Sequence, residues 1–151
     1  MNKLVLDFEY DFDFTLFGVS SHVANYRLAW GINKLLDIDL ERMDDVDLSF
    51  GEEKKRSFSF YRFDDEESYT TIHLVSNRST NGYLIPELKQ MDYFLQYWGP
   101  MSVEELFTMN DNIRKISSVL TAIKVDPMDL KGRANIARKA AGESISMEEQ
   151  Y

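Results

Sequence analysis

Hydrophobic and polar residues alternate strictly from residue 3 to residue 17. One side of this stretch carries mainly carboxylates, and the other carries only apolar side chains: Leu4, Leu6, Phe8, Tyr10, Phe12, Phe14 and Leu16. A period of two is typical of a β-strand. At ~3.4 Å per residue, a straight strand of this length exceeds the width of a compact domain, so it must bend, bulge or reach another subunit.

A glycine and then a helical pattern follow this strand. Gly18 is predicted to end the strand, Ser20 or Ser21 to cap a helix, and the helix to continue to about residue 36. The inner stripe of this helix consists of Ala24, Leu28, Ile32 and Leu35. Further apolar residues recur on its opposite side: Val23, Tyr26 and Trp30. A helix that covers one sheet face does not need them, so we expect a second contact surface here.

The middle of the chain has the pattern of further strands. Val46, Leu48 and Phe50 alternate with polar residues, as a strand requires. Residues 57–63 and 69–75 flank the acidic run 64–67, which predicts a hairpin with an acidic tip. The following stretch, residues 77–82, is rich in polar residues and is interpreted as a turn.

A second strand, glycine turn and helix begins at residue 92. Its strand extends to Trp98, Gly99 turns the chain, and Ser102 with Glu105 predicts a capping box at the start of the helix. Alternation over residues 119–125 predicts a strand after the helix. This unit repeats the first one: residues 11–35 align without a gap on residues 92–116, at an offset of 81, with similar residues at ten positions.

The repeat predicts an α+β fold for a single domain over residues 1–130. Two strand–helix–strand units with right-handed crossovers combine most simply into one mostly antiparallel sheet, extended by the hairpin, with two helices on one face. This is a ferredoxin-like arrangement. Six residues would then face the helices: Phe12, Phe14, Leu16, Tyr93, Leu95 and Tyr97. The other face would present Phe17, Phe94 and Trp98, to be covered by a dimer partner, by added elements or by another protein.

The chain has 151 residues and a formal net charge of −9, and the imbalance lies in its first half. Residues 1–67 hold 16 acidic and 8 basic side chains, against 10 and 9 in residues 68–151. Residues 131–151 are basic and then acidic, and we expect a terminal helix or tail there. An acidic chain repels phosphate, so nucleic acid and anionic membranes are disfavoured as partners.

The absence of cysteine excludes disulfides, thiolate catalysis and thiolate metal sites. The two imidazoles, His22 and His73, are interpreted as a capping and a surface histidine, because no nucleophile motif accompanies them. Four acids on one side of the first strand could hold a divalent cation or act in catalysis: Asp7, Glu9, Asp11 and Asp13. A solvated row is favoured, since neighbours ~7 Å apart repel by only about 0.6 kcal/mol in water. No catalytic residue, metal or cofactor is therefore predicted.

The predicted turn before the first helix is a candidate anion site. Gly18, Ser20 and Ser21 would precede a helix N-terminus, where free N–H groups and the helix dipole favour a carboxylate or phosphate. Ordinary turn chemistry is the favoured alternative. The chain shows neither a signal-peptide pattern nor an apolar run of ~20 residues, which favours a cytoplasmic protein.

One motif lies between the polar turn and the second unit. Ile85, Pro86 and Glu87, followed by Asp92 and Tyr93, resemble the signature of the IPExxxVDY family, with Met91 in place of valine. Segments 9–14, 26–30 and 130–131 resemble the same family, over roughly residues 3–137. The resemblance implies a small bacterial protein and no known activity. Pro86 favours a turn that leads into the second unit.

Three functions remain open on these residues. The leading hypothesis is a non-catalytic, self-associating interaction or regulatory module that uses the aromatic face together with Val23, Tyr26 and Trp30. The alternative is a domain that senses an amino acid or another small anion at the turn of residues 18–21. The third is an enzyme that uses the carboxylates of Asp11, Asp13, Glu87 and Asp92. The expected partner is a second copy or another protein.

Overall fold

Strands and two helices make up most of the described chain. A computed structural model describes residues 14–49 and 55–126. The strands are β1 (Thr15–Ser21), β2 (Glu41–Ser49), β3 (Lys55–Asp65), β4 (Thr70–Ser76), β5 (Arg78–Ser79), β6 (Gly82–Tyr83), β7 (Tyr93–Trp98) and β8 (Val119–Val125). The helices are α1 (Asn25–Leu36) and α2 (Val103–Arg114), and one turn of 3-10 helix covers Pro86–Leu88. The acidic row of residues 7–13 and the tail of residues 131–151 lie outside the described residues.

Six strands form one sheet in the order β2-β3-β4-β7-β1-β8, and each neighbouring pair is antiparallel. The α+β class and the mostly antiparallel sheet are therefore confirmed. The hairpin of β3 and β4 is also confirmed, with the acidic run at its tip. Strands β5 and β6 pair separately as a short ribbon.

The two predicted units connect differently within this sheet. Helix α2 leads from β7 to β8, and only β1 lies between these two strands. Helix α1 leads from β1 to the edge strand β2, and β7, β4 and β3 lie between them. The sequence repeat therefore does not extend to the way the strands are joined.

The sheet is buried on both faces. Both helices pack on one face, where Leu28, Ile32, Met109 and Ile113 join residues of β1, β4, β7 and β8 in one core. On the opposite face, residues of β1, β3, β4 and β7 form a second core. Leu84, Ile85 and Met91, from the segment between β6 and β7, complete that second core. The segment of residues 84–91 therefore covers the sheet face that was expected to be open.

The predicted faces are right for β7 and wrong for β1. Tyr93, Leu95 and Tyr97 lie in the helix-side core as expected. Phe14 and Leu16 lie in the opposite core, and Phe17 lies on the helix side beside its antiparallel neighbour Leu95. Alternation alone does not say which set faces the helices when both faces are buried.

Phe17 and Phe94 are fully buried, at 0% exposure each, so their expected place on an open interaction surface is wrong. Trp98 is half-buried and packs against the second core, with its ring centroid 5.2 Å from that of Phe14. Phe94 is buried because the added segment of residues 84–91 packs its apolar side chains on this face, whereas Phe17 is buried because it faces the helices. The expected aromatic contact face therefore does not exist on the sheet.

Gly18 does not end β1. It lies in the middle of the strand, between Phe94 on β7 and Ile123 on β8. A Cβ at this position would lie 2.8 Å from Cγ and Sδ of Met91, so the glycine makes room for a side chain of the covering segment. Gly99 does turn the chain, with a φ of +146° that an L side chain rarely adopts.

The two helices begin in different ways. Helix α2 begins with the predicted capping box: Ser102 Oγ accepts from the N–H of Glu105, and the Glu105 carboxylate accepts from the N–H of Ser102. Helix α1 begins at Asn25, and its N-cap residue Ala24 has only a methyl group, which cannot accept a hydrogen bond from the first N–H groups. Ser20 and Ser21 belong to β1, so the predicted serine cap is wrong.

Candidate functional site

Asn77 organises the segment that carries the family motif. Its side chain is fully buried at the end of β4. Its Oδ1 accepts from the N–H of Ile85 at 2.7 Å, and its Nδ2 donates to the carbonyls of Met91 at 2.9 Å and Leu88 at 3.0 Å. Backbone hydrogen bonds join Asn77 to Asp92 and Leu84 as well. One amide side chain thus holds both ends of the loop that covers the second core.

Asp92 links this segment to β1. Its Oδ2 accepts from the backbone N–H of Ser21 at 2.7 Å, and its Oδ1 pairs with Arg78 at 2.6 Å. The Asp92 side chain is only 7% exposed, whereas that of Arg78 is 57% exposed. The predicted anion-binding residues therefore do meet a carboxylate, and it is the chain's own. Ser20 Oγ makes a longer contact with it, at 3.4 Å, and Gly18 takes no part in this network.

Tyr93, the last residue of the motif, fixes the chain ahead of α1. Its hydroxyl donates to the carbonyl of Val23 at 2.8 Å. Burial, and then the neighbouring Asp92 carboxylate, raise the pKa of Tyr93 above its usual value, so the phenol remains a donor at neutral pH. Ser21 Oγ donates to the carbonyl of Ser118 at 2.6 Å, which ties the same region to the start of β8.

A polar cleft of about 420 Å³ opens beside this network. It lies between the amino end of α1, strands β2, β3 and β4, and the ribbon of β5. Three serines contribute to its lining, Ser57, Ser59 and Ser76, together with two arginines, Arg42 and Arg78. His22, Ser21 and Asp92 also line it, so the cleft contains part of the motif and part of the predicted anion site.

Two arginine–aspartate pairs lie on the cleft. Arg78 pairs with Asp92, and Arg42 pairs with Asp45 at 2.6 Å. Arg42 also donates to Oδ1 of Asn25 at 3.2 Å, and the Tyr61 hydroxyl donates to the same oxygen at 2.7 Å. The formal charges of the two pairs cancel. The cleft therefore offers cations and anions together rather than a uniformly positive surface.

The amino end of α1 faces this cleft. Ala24 and Asn25 line it, no side chain caps the helix, and no acid occupies the first turn. The first N–H groups of a helix have no partner within the helix, and the helix dipole makes them attractive to negative charge. This end of α1 thus adds donors to those of the two guanidinium groups.

His73 is not a surface residue. It is only 2% exposed on β4, in edge-to-face contact with the rings of Phe60 at 4.9 Å and Trp98 at 4.8 Å between centroids. Neither ring nitrogen has a hydrogen-bond partner among the described residues. Burial, and then the charge of Arg62, lower the pKa of His73 to about 3, against the opposing effect of Asp64. This imidazole is neutral at physiological pH and does not line the cleft.

The outer face of α1 is the part of the predicted interaction surface that is exposed. Tyr26 is 66% exposed and Trp30 is 63% exposed, while Val23 is half-buried against the helix-side core. Lys34 Nζ lies 4.6 Å from the centroid of the Trp30 ring. The surface therefore consists of an aromatic pair beside a cation on one helix.

The sequence interpretation missed three residues of this region. Asn77 was taken as part of a polar turn, and Arg42 and Arg78 were not singled out. An asparagine that ends a strand just before a motif rich in turn residues is a signal for a buried, loop-organising amide. The two arginines carry no such signal, because strands distant in the chain bring them to the cleft.

Within residues 14–49 and 55–126, no three histidine or acidic side chains come together as a metal-binding group.

Helices of the described ranges are too short or too polar to cross a membrane. Asp11 and Asp13, which were considered with Asp92 and Glu87 as catalytic carboxylates, lie outside the described residues.

Two comparisons of the sequence with known proteins identify no relative. No protein-family model matches the chain, and no curated protein matches it either. The resemblance of residues 85–93 to the IPExxxVDY signature therefore stays a prediction.

Proposed function

We propose that this chain is a non-catalytic binding module whose polar cleft takes a small ligand that carries a carboxylate. The convergence of Arg42, Arg78 and the uncapped end of α1 on one concave surface carries this proposal. Guanidinium groups and helix N-terminal N–H groups are both donors suited to carboxylate oxygens. The hydroxyls of Ser57 and Ser76 already donate to Asp47 and to the carbonyl of Arg78, so their oxygens add acceptors that can orient the rest of the ligand.

The charges of the cleft favour a zwitterion such as an amino acid over a polyanion. Asp45 and Asp92 balance the charges of the two arginines, so the four groups have no net positive charge. A ligand with several negative charges would therefore be repelled by the two carboxylates as much as it is attracted by the two arginines. An ammonium group, by contrast, finds an acceptor in Asp45, whose side chain is 42% exposed. The net charge of −9 adds to the disadvantage of polyanions.

Calorimetric titration and thermal unfolding with single amino acids, acetate and inorganic phosphate test this proposal. A ligand that binds only the folded state raises stability by RT ln(1 + [L]/Kd), so one at 100 times its Kd adds about 2.7 kcal/mol. We expect at least one amino acid to raise the Tm more than acetate or phosphate does. No shift with any of these compounds at millimolar concentration would refute the proposal.

Arg42→Gln and Arg62→Gln form a matched pair for this test. Both arginines lie on strands and pair with an aspartate at 2.6 Å, but only Arg42 lines the cleft. Arg42→Gln should weaken binding at least tenfold, and Arg62→Gln should leave it unchanged. An equal effect of both substitutions would place the ligand elsewhere.

A second candidate function, favoured by the exposed aromatic pair on α1, is protein interaction by self-association. Tyr26 and Trp30 together form an apolar surface that the helix does not need for its own core. Sedimentation over a wide concentration range tests it, and Trp30→Ser should reduce any association. A chain whose sedimentation does not change with concentration would refute this candidate.

Two finer points belong with these proposals. We propose that β8, β1, β7 and β4 form a ferredoxin-like core in which β2 and β3 are an extension, because their spatial order and the helices between them follow that pattern. We also propose that the module acts in the cytoplasm, as a protein without catalytic activity. The burial of His73 away from the cleft supports the latter point.

A further inference from the structure

The outer face of α1 is basic as well as aromatic. The helix contains Arg27 and Lys34 and no acid, although the whole chain carries a net charge of −9. Tyr26, Trp30 and Lys34 follow one another at intervals of four residues, so they line one ridge of the helix, with Arg27 beside it. Arg27 has no ion-pair partner among the described residues. We call these four residues the α1 ridge.

The tip of the β3–β4 hairpin has the complementary character. Asp65 closes the turn by accepting from the N–H of Glu67 at 3.1 Å and from Ser68 Oγ at 2.8 Å. Glu66 and Glu67 are exposed, and in the described part of the chain neither pairs with a cation. Tyr69 ends the turn and is 82% exposed. Residues 65–69 are called the acidic tip.

Tyr69 is held in an unusual backbone conformation. Its φ is +55°, in the left-handed region that a bulky side chain rarely occupies. The turn around it is closed by its own N–H, which donates to the carbonyl of Glu66 at 3.4 Å. Backbone strain of this kind persists where the surroundings impose it, and it often accompanies binding surfaces. Here it presents an aromatic ring beside two free carboxylates.

We infer that the acidic tip of one copy docks on the α1 ridge of a second copy. The two surfaces match in charge, since Glu66 and Glu67 oppose Arg27 and Lys34. Both surfaces also carry exposed aromatic side chains, so Tyr69 can stack on Tyr26 or Trp30. This inference names the partner of the self-association candidate and is independent of the cleft, since no residue of the ridge or the tip lines the cleft.

The size of the contact sets its strength. A five-residue tip buries far less than the ~1,200 Å² of total surface at which specific interfaces begin, so one tip-to-ridge contact should be weak. Two copies that exchange tips reciprocally would double the area. Because the charged groups lie at the surface, the association should weaken as salt screens them.

Charge reversal in a pair of variants tests this inference. Glu66→Lys with Glu67→Lys makes the tip basic, and Arg27→Glu with Lys34→Glu makes the ridge acidic. Each double variant alone should lose self-association in sedimentation equilibrium at protein concentrations up to about 1 mM. An equimolar mixture should associate again, because the basic tip of the first variant meets the acidic ridge of the second.

Exposed acids elsewhere provide the control. Asp44→Lys with Asp111→Lys changes the net charge by the same amount as the tip variant, but at exposed positions on β2 and α2. This control should associate as the unchanged chain does. The salt dependence of the unchanged chain is a second measurement that needs no variant: association should fall at least tenfold between 50 mM and 1 M NaCl. A chain that stays monomeric at low salt, or a mixture that fails to associate, would overturn the inference. The amino-acid titration reports on the cleft separately, so the two proposals fail independently.

Discussion

The carboxylate of Asp92 accepts the backbone N–H of Ser21 at 2.7 Å, across 71 positions of the chain. This hydrogen bond joins the start of β7 to the end of β1 beside the backbone bond from the N–H of Asp92 to the carbonyl of Val19, and the same carboxylate holds Arg78 at 2.6 Å. Asp92 belongs to the motif of residues 85–93, and Ser21 to the predicted anion-binding turn. The two sequence features are therefore the two halves of one contact.

Removal of this carboxylate should destabilise the fold. Asp92→Ala leaves the buried N–H of Ser21 without an acceptor, which costs about 1–3 kcal/mol in unfolding free energy. Asp92→Asn keeps an acceptor oxygen and should cost less. Urea denaturation followed by circular dichroism measures both. Asp64→Asn, at an exposed aspartate that also pairs with an arginine at 2.6 Å, is the control and should change stability little. Equal losses for Asp92→Ala and Asp64→Asn would contradict this role.

Asn77→Ala should be more destabilising than most substitutions of a polar residue. It removes the partners of the Ile85 N–H and of the Leu88 and Met91 carbonyls at once, in a fully buried position. We expect a loss of more than about 2 kcal/mol in unfolding free energy, together with faster hydrogen exchange at Ile85. Asn81→Ala, which removes one exposed hydrogen bond to the carbonyl of Lys55, should cost well under half as much. Unchanged exchange at Ile85 would mean that the covering loop holds without Asn77.

Gly18 and Met91 should show energetic coupling. A Cβ at residue 18 would approach Cγ and Sδ of Met91 to 2.8 Å, so Gly18→Ala forces that side chain to move, at a cost of about 1–3 kcal/mol. In a Met91→Ala background the space is free, and Gly18→Ala should cost much less there. A double-mutant cycle of unfolding free energies measures the difference. Additive effects of the two substitutions would show that the contact does not limit residue 18.

Stability should fall in acid because of His73. Its pKa is about 3 in the folded chain and near 6.5 when unfolded, so below pH 6.5 the unfolded state binds a proton that the folded state does not. The contribution of the neutral imidazole is therefore complete above pH 6.5 and is lost as the pH falls towards 3, by up to about 1.4 kcal/mol per pH unit. Chemical denaturation at a series of pH values measures this slope.

His73→Leu should remove that slope between pH 6.5 and about 4.5, where the carboxylates begin to titrate. It also removes two ring nitrogens that have no partner in the described structure, so stability at pH 7 should change by less than about 1.5 kcal/mol. His22→Gln, at an exposed histidine, should leave the slope as it is. A His73→Leu variant with the original acid sensitivity would show that another group is responsible.

Features that depend on near neighbours in the chain could be predicted from the sequence. The capping box of Ser102 and Glu105 joins residues three apart, and the Gly99 turn depends on the conformation of one residue. The strands of the hairpin and their acidic tip follow from alternation with a period of two. In each of these cases the energy that selects the structure arises within a few residues, so the local pattern suffices.

Contacts between segments that are distant in the chain decided the burial of the sheet's second face, the orientation of β1 and the position of the cleft. Gly18 remains in a strand because Met91 occupies the space beside it, and Phe94 is buried because Leu84 and Ile85 cover it. Alternation places Leu16 and Phe17 on opposite faces of β1, but only the packing of both faces assigns one of them to the helices. The cleft likewise exists because Arg42, Arg78 and the start of α1 meet through the order of strands in the sheet, which no local pattern encodes.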